Sequence, residues 1–196
     1  MRTAEIKRKT NETDVLIKLN LDACDQVKVN SGSGFLDHML TLFASHAGYG
    51  LTVECKGDTY VDMHHSVEDI GITLGQVLVK ALGEKKGINR YGCICLPMDE
   101  TLVSVALDIS GRSLLNFDVE FPNEYKVGDL DVELVEEFFL GFVRNANITL
   151  HITKRYGKNV HHIIEAIFKG FGRALKQATA INANSKDVLP STKGVL

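Results

Sequence analysis

Two histidine-rich pentads offer the clearest chemistry in this sequence. The pentad HHSVE at residues 64–68 recurs as HHIIE at residues 161–165, and the two copies contain four of the seven histidines. On a helix, the first histidine and the glutamate of each pentad share a face, while the second histidine is rotated by about 100°. Each pentad can therefore offer ligands to two metal ions. One such pentad would equally fit an ordinary helix surface, but two copies favour a metal site.

The surroundings of the pentads repeat as well. The pentads are 97 residues apart, and the segments LTVE and ITLH each begin 13 residues before a pentad. The segments LIKLNLD and LLNFDVE form a further pair, about 98 residues apart. We therefore predict an α+β fold of tandem duplicated half-domains, each a small antiparallel sheet packed with two helices. Residues 1–196 would form a single domain, with pseudo-repeats at about 1–90 and 91–181 and a C-terminal tail at 182–196.

Hydrophobic periodicity locates the individual elements. Alternating apolar residues predict strands at 3–9, 14–22, 51–56, 91–98, 101–109, 113–121 and 148–153. Apolar residues at helical spacing predict one helix in FLDHMLTLFASHAG, one from the first pentad to Leu82, one around Leu134–Phe142 and one from the second pentad. Residues 122–128 are predicted to form a loop, and Asp62 is predicted to cap the helix of the first pentad.

The duplication predicts which other residues belong to a metal site. His38 precedes the first pentad much as Glu137 precedes the second, so the two positions are equivalent. The resulting eight candidate ligands are His38, His64, His65, Glu68, Glu137, His161, His162 and Glu165. Imidazole and carboxylate without thiolate suit manganese, iron(II) or zinc, and four ligands for each ion leave two octahedral positions open for chemistry. A structural zinc site would close at four ligands and would usually include cysteine.

Two histidines fall outside this set. His46 ends the helix that contains His38, where it can face the same cavity or simply favour the helix C-terminus. His151 lies in the middle of a predicted strand and is interpreted as a structural residue. The four cysteines include no CxxC pair, which favours buried free thiols over zinc ligands or disulfides. Cys93 and Cys95 should face the same side of a strand.

Composition restricts the partners. A net charge of −3 and a pI near 6.2 provide no general field for binding nucleic acid. No apolar run approaches the roughly 18 residues that a membrane span requires, and the N-terminus lacks the apolar core of a signal peptide. We therefore expect a cytoplasmic protein with neither nucleic acid nor membrane as a partner.

Long motifs in a fixed order reveal a family resemblance. The sequence contains GFLDHML, DMHHSVEDIGITLGQ, KGINRYG, LDISGR, GKNVHHIIEAIFKGFGRAL and PSTKG. In these motifs, and along nearly its whole length, the chain resembles the imidazoleglycerol-phosphate dehydratase family of histidine biosynthesis. The resemblance implies a duplicated α+β fold, two Mn²⁺ ions per active site, and a homo-oligomer of 24 subunits whose active sites lie at subunit interfaces.

The resemblance also implies roles for individual residues. One ion would be bound by His38, His65, His161 and Glu165, and the other by His64, Glu68 and His162. The fourth ligand of the second ion is commonly a histidine in the family, whereas this chain has Glu137 at that position. Implied catalytic residues are Glu12 and His46. Implied substrate-binding residues are Glu12, His38, His46, Arg90, Arg112, Lys169, Ser191, Thr192 and Lys193.

The function that follows is a carbon–oxygen lyase. It would dehydrate D-erythro-imidazole glycerol phosphate to imidazole acetol phosphate, with two manganese ions stabilising an imidazolate intermediate and Glu12 moving the carbon-bound proton. A dinuclear metallohydrolase and a non-catalytic, metal-bridged assembly protein are the alternatives. An assay for the keto product with and without manganese separates the three.

Overall fold

A computed structural model of the chain describes residues 1–122 and 125–196, and its elements form two halves with the same order. The first half contains β1 (Thr3–Lys9), β2 (Thr13–Asn20), β3 (Val27–Asn30), α1 (Gly34–Ala47), β4 (Gly50–Gly57) and α2 (His64–Leu82). The second half contains β5 (Tyr91–Met98), β6 (Thr101–Asp108), β7 (Leu114–Asp118), β8 (Lys126–Val127), β9 (Leu130–Asp131), α3 (Leu134–Ala146), β10 (Thr149–Tyr156) and α4 (Val160–Thr179). A short 3-10 helix follows at Ala183–Ser185. The strands β8 and β9 form a hairpin that has no counterpart in the first half.

Each half forms a four-stranded sheet, in the order β1-β2-β4-β3 and β5-β6-β10-β7. The predicted α+β class and the duplicated half-domains are confirmed. The sheets are mixed, however, because the edge strands β3 and β7 pair in parallel with β4 and β10. Parallel neighbouring strands require a crossover connection. Helix α1 provides it between β3 and β4, and α3 provides it between the hairpin after β7 and β10.

Two of the strand predictions were wrong. The sequence analysis missed β3, although Val27 and Val29 alternate with polar residues, because the strand is only 4 residues long. It also paired LIKLNLD with LLNFDVE, whereas the first belongs to the central strand β2 and the second begins at the edge strand β7. The counterpart of β7 is β3. The inserted hairpin changes the spacing of the repeats, so the offset between the pentads does not apply to the strands that precede it.

Other local predictions had mixed outcomes. Of the predicted loop at 122–128, residues 123 and 124 lie outside the described residues, and Lys126–Val127 is a strand. Asp62 accepts a hydrogen bond from the backbone N–H of His64 at 2.8 Å, which supports the start of α2, although the N-cap position is Met63. All four cysteines are free, but only Cys55 is buried, so the prediction of buried thiols was wrong for the other three.

The helices pack across the two halves. Helix α1 contacts α4, and α2 contacts α3. The crossing of α1 and α4 is close because α4 has Gly172 where a Cβ would lie 2.5 Å from the carbonyl oxygen of Phe43. The rings of Phe43 and Phe171 stack beside it with centroids 5.1 Å apart. Helix α1 of the first half therefore lies against the pentad of the second half. Within the described ranges, no helix is both long and apolar enough to cross a membrane.

Candidate functional site

The crossing of α1 and α4 brings together His38, His161 and Glu165, which we call the first ligand group. One ligand atom from each residue lies within 4.8 Å of the other two. The imidazole centroids of His38 and His161 are 6.0 Å apart, and His161 Nε2 lies 3.3 Å from a Glu165 carboxylate oxygen. The prediction that the first histidine and the glutamate of a pentad share a helix face is therefore correct for the second pentad.

Local sequence fixes both helices at this site. Ser33 caps α1 by accepting a hydrogen bond from the N–H of Leu36 at 3.2 Å. Asn159 caps α4 in the same way, through the N–H of His162 at 3.3 Å. The ring of Phe35 packs edge-on against His161, with centroids 5.2 Å apart. The imidazoles are thus positioned by capped helix ends and by aromatic packing.

The electrostatics of the first ligand group determine the charge state of Glu165. Burial alone would raise the pKa of Glu165, but the hydrogen bond and charge of Lys169, with smaller contributions from His161 and His38, lower it below its ordinary value. The Lys169 ammonium pairs directly with the carboxylate. Glu165 is therefore ionised, as metal binding requires.

The first ligand group fits a divalent ion with open coordination positions. Metal–nitrogen and metal–oxygen bonds are about 2.0–2.2 Å, so two ligands of one ion lie at most about 4.4 Å apart. The three ligand atoms all lie within 4.8 Å of one another, so at most small side-chain rotations would bring them to one ion. Two imidazoles and one carboxylate are typical of manganese, iron(II) and zinc sites.

The second histidine of each pentad contacts a carboxylate outside the pentad. The Nδ1 atom of His65 lies 3.0 Å from Asp58, and that of His162 lies 2.8 Å from Glu100. These hydrogen bonds raise the pKa of both histidines, and the His162 bond is the main cause that lowers the pKa of Glu100 to about 2. A carboxylate that holds Nδ1–H leaves Nε2 as the metal-binding atom, which is a common arrangement around bound metals.

The counterpart group of His64, Glu68 and Glu137, which we call the second ligand group, lies where α2 crosses α3. The crossing is close, since a Cβ on Gly141 of α3 would lie 3.0 Å from the carbonyl oxygen of Glu68. All three side chains are half-buried. Within the described residues, they do not converge as the first group does. Two carboxylates repel each other without a cation between them, whereas the first group contains only one.

Most of the residues implied in phosphate binding line a single cavity. Arg90, Arg112, Ser191, Thr192 and Lys193 surround a volume of about 470 Å³. Asp108 accepts hydrogen bonds from Arg90 Nε and Nη2 at 2.7 and 3.0 Å, which orients the guanidinium. The Arg90 Nη1 donates a hydrogen bond to the carbonyl oxygen of Pro190 at 2.9 Å, which fixes the C-terminal tail. The cavity thus combines two guanidinium groups, an ammonium and hydroxyl donors, which suits an anion.

The remaining predicted site residues lie outside that cavity. Lys169 and His46 line a separate space of about 320 Å³ together with Arg173. The Arg173 Nε donates to His46 Nδ1 at 3.3 Å, and burial, followed by the charge of Arg173, lowers the pKa of His46. Glu12 is exposed in the β1–β2 turn, with its carboxylate 3.9 Å from His65 Nε2. His151 is exposed on the strand β10, away from these groups.

Sequence reasoning missed Asp58, Glu100 and Arg173 as partners of the candidate site residues. Asp58 and Glu100 lie in the connections after β4 and β5, and Arg173 is exposed on α4, so none of them belongs to either pentad. The duplication contained a signal for Glu100, since the β5–β6 turn is the counterpart of the β1–β2 turn and Glu100 therefore corresponds to Glu12. Asp58 follows β4 instead, so the repeat does not relate it to Glu100.

Comparisons with known proteins identify the family of this chain. A family model described as imidazoleglycerol-phosphate dehydratase matches residues 31–175. A protein of that name from Oceanobacillus iheyensis is 56% identical over 196 residues, covering 100% of both chains. Another from Methylorubrum extorquens is 52% identical, again over 100% of both chains.

Two solved structures are also similar. The imidazoleglycerol-phosphate dehydratase of Staphylococcus aureus is 45% identical with a TM-score of 0.83, over 92% of this chain and 99% of that one. The enzyme of Pyrococcus furiosus, in complex with (S)-C348, is 39% identical with a TM-score of 0.84, over 97% and 100%. The chain therefore belongs to the imidazoleglycerol-phosphate dehydratase family, as its motifs predicted, and is a carbon–oxygen lyase of histidine biosynthesis.

Proposed function

We propose that the chain removes water from D-erythro-imidazole glycerol phosphate, giving imidazole acetol phosphate, at a centre that binds two manganese ions. The convergence of His38, His161 and Glu165 is the observation that supports it most strongly. The family resemblance assigns these three residues to the same ion. Two bound manganese ions would supply the positive charge that stabilises an anionic imidazole ring.

The protein residues bind and orient the substrate at its other end. The phosphate would enter the cavity of Arg90, Arg112 and the 191–193 tail, where guanidinium groups can donate paired hydrogen bonds. Asp108 orients Arg90 and offsets its positive charge. The hydroxyl and ammonium donors of the tail would therefore complete the neutralisation of the phosphate. Closing the tail over the phosphate would also exclude water from the reacting carbons.

Glu12 is proposed to move the carbon-bound proton. Its carboxylate is exposed and lies 3.9 Å from His65 Nε2. A residue beside a ligand of the centre lies within reach of a substrate whose ring is bound there. Its carboxylate oxygen can accept the proton from carbon and then pass it to the hydroxyl that leaves the neighbouring carbon, so that H and OH depart together as water. The carbon–carbon double bond that forms belongs to an enol, which becomes the ketone when a proton moves from its oxygen to carbon.

The active site is proposed to form between subunits. His65 and Glu12 lie together, while His38, His161 and Glu165 lie together elsewhere, so one chain alone supplies incomplete ligand sets. A neighbouring copy that contributes His65 would provide the fourth ligand of the first ion. The assembly of 24 subunits, the cytoplasmic location and the domain limits at about 90 and 181 stay predictions from the sequence.

One assay tests the function directly. Metal-free protein should form no keto product from the imidazole substrate, and added manganese should restore the reaction. The same preparation should release no phosphate from simple phosphate esters, which separates the lyase from a dinuclear metallohydrolase. Full turnover in protein that elemental analysis finds free of metal would contradict the two-metal centre. A protein that binds manganese and forms no product would be the metal-bridged assembly protein.

The role of Glu12 is tested by Glu12→Gln. The amide cannot accept the proton, so turnover should fall by about 100-fold or more while metal content stays at two ions per subunit. Glu54→Gln is the matched control, since Glu54 is also exposed on the first sheet and pairs there with Lys28 at 3.6 Å. Near-normal turnover of Glu12→Gln would assign the proton transfer to another residue.

A further inference from the structure

The hairpin formed by β8 and β9 contacts the start of α1 in the other half of the molecule. Its turn residue Asp129 accepts hydrogen bonds from Ser33 Oγ at 2.7 Å, from the N–H of Gly34 at 2.7 Å and from the N–H of Phe35 at 3.1 Å. The first N–H groups of a helix lack partners within the helix itself. A carboxylate from a distant segment therefore completes the cap that Ser33 begins.

The same hairpin also packs against Phe35. A Cβ placed on Gly128 would lie 3.4 Å from the Phe35 Cβ, so the hairpin backbone lies directly on this residue. Phe35 is buried and packs edge-on against His161. The contact therefore extends from the hairpin through Phe35 to one metal-ligating histidine. The contact also fixes the start of α1, one turn before His38, which is the other histidine of the first ligand group.

The interaction involves charge as well as shape. Burial would raise the pKa of Asp129, but the hydrogen bonds from Ser33, Phe35 and Gly34 lower it below its ordinary value, so the carboxylate is ionised. A negative charge at a helix N-terminus is stabilised by the helix dipole. The equivalent helix α3 has Glu133 at its N-cap position, with no side-chain capping bond within the described residues. Among the described residues, the start of α1 at the first ligand group is thus capped by side chains, whereas the start of α3 at the second is not.

We propose that Asp129 is a positioning residue for the metal ion of the first ligand group. It fixes the start of α1, and through Phe35 it orients His161 relative to His38. This inference rests on the proposed function, because it concerns an ion that His38, His161 and Glu165 would bind. It gives the hairpin, which only the second half contains, a role at a site formed by both halves.

Manganese titration of metal-free protein tests the role of Asp129. Asp129→Ala should weaken one of the two sites by about 10-fold or more and leave the other unchanged, as for loss of other residues that orient ligands. His161→Ala removes the first ligand group, and adding Asp129→Ala to it should not alter the remaining site. Asp131→Ala is the matched control, because Asp131 lies on the same hairpin and, among the residues that the structure describes, forms its ion pair with Lys126, at 3.8 Å.

Several results would overturn the inference. Unchanged binding at both sites, even with a lower melting temperature, would make Asp129 a structural residue only. Equal weakening of both sites would indicate a general loss of structure. If Asp129→Ala does not fold, Asp129→Asn keeps the shape, retains one acceptor and should produce a smaller change at the same single site. Wild-type protein that binds no manganese would instead contradict the proposed function, and this outcome is visible before any variant is compared.

Discussion

Individual carboxylates distinguish the two ligand groups of this molecule. The first group has two imidazoles and one carboxylate that is already ionised beside Lys169. The second group has Glu137 in place of the equivalent His38, so it contains two carboxylates and one imidazole. A site with more negative charge binds hard divalent ions well. Without an ion, repulsion between its carboxylates keeps the ligands apart.

Glu137 provides a test at the scale of one residue. If it binds the second ion directly, Glu137→Ala should leave about half of the metal content and little activity, since losing a ligand weakens metal binding more than the roughly 10- to 100-fold cost of losing an orienting partner. Glu137→His should recover much of both, because imidazole restores a ligand. Glu136→Ala, at an exposed neighbouring position, is the control. Two tightly bound ions and normal turnover in Glu137→Ala would show a second site built without it.

Tyr49 gives the protein a pH dependence that is independent of metal. Burial raises the pKa of its phenol to about 12, and Thr179 is its hydrogen-bond partner at 2.5 Å. The unfolded chain has a tyrosine pKa of about 10. Folding therefore favours the neutral phenol. Its contribution is complete below pH about 10 and is lost as the pH rises towards about 12, by about 3 kcal/mol in total.

Comparing wild type with Tyr49→Phe isolates this contribution. At pH 7 the variant should be less stable by about 1 kcal/mol because it lacks the hydrogen bond. Between pH 10 and 12 the wild type should lose stability faster than the variant, because only the wild type has the Tyr49 phenol. Lysine ionisation affects both proteins equally. Urea unfolding across this range measures the difference. Parallel stability curves would mean that the phenol ionises as easily in the folded protein as in the unfolded one.

At the scale of elements, helix periodicity and the repeat were readable from the sequence, whereas the pairing of the strands was not. The helices that contain His64 and His161 were predicted because their apolar residues recur over several turns. Strand β3 is too short for such a signal, and its parallel pairing with β4 depends on the α1 crossover. The contact of Asp129 with α1 spans residues far apart in sequence, so only the folded structure brings them together.

Glycines at the helix crossings allow the helices to approach closely. Gly75 and Gly172 occupy equivalent positions in α2 and α4, and a Cβ on either would lie 2.5 Å from a carbonyl oxygen of the opposing helix. The helix pairs must therefore separate to accept alanine. Because the α1–α4 crossing also sets the distance between His38 and His161, the spacing of the first ligand group depends on Gly172.

Alanine at these positions should destabilise the protein despite its higher helix propensity. Gly75→Ala and Gly172→Ala should each cost about 1–3 kcal/mol through overpacking, which outweighs the gain of about 1 kcal/mol that alanine brings to a helix. Thermal unfolding measures the loss. Ser45→Ala, at an exposed position of α1, should change stability little. A variant of either glycine as stable as wild type would show that the crossing can widen freely.

At the scale of the whole molecule, the candidate ligands fall into separate groups within one chain. The second half supplies His161 and Glu165 to one group, while His65 of the first half lies beside Glu12 and Asp58. Two copies that meet with these faces together would complete both sets at once. Because closed symmetric assemblies repeat one contact, every subunit could then be a donor and an acceptor of ligands.

Subunit mixing tests this division directly. His65→Ala and His161→Ala should each be inactive alone, because each removes a ligand from every active site. Co-expressed, they should recover a fraction of wild-type turnover and metal content, since sites form in which one subunit supplies an intact His65 and its neighbour an intact His161. The matched control combines His38→Ala with His161→Ala. Both residues belong to the first ligand group of one chain, so no mixed site can contain them both. Recovery in the control, or none in the test pair when mass measurement finds mixed oligomers, would mean that the ligands are not shared in this way.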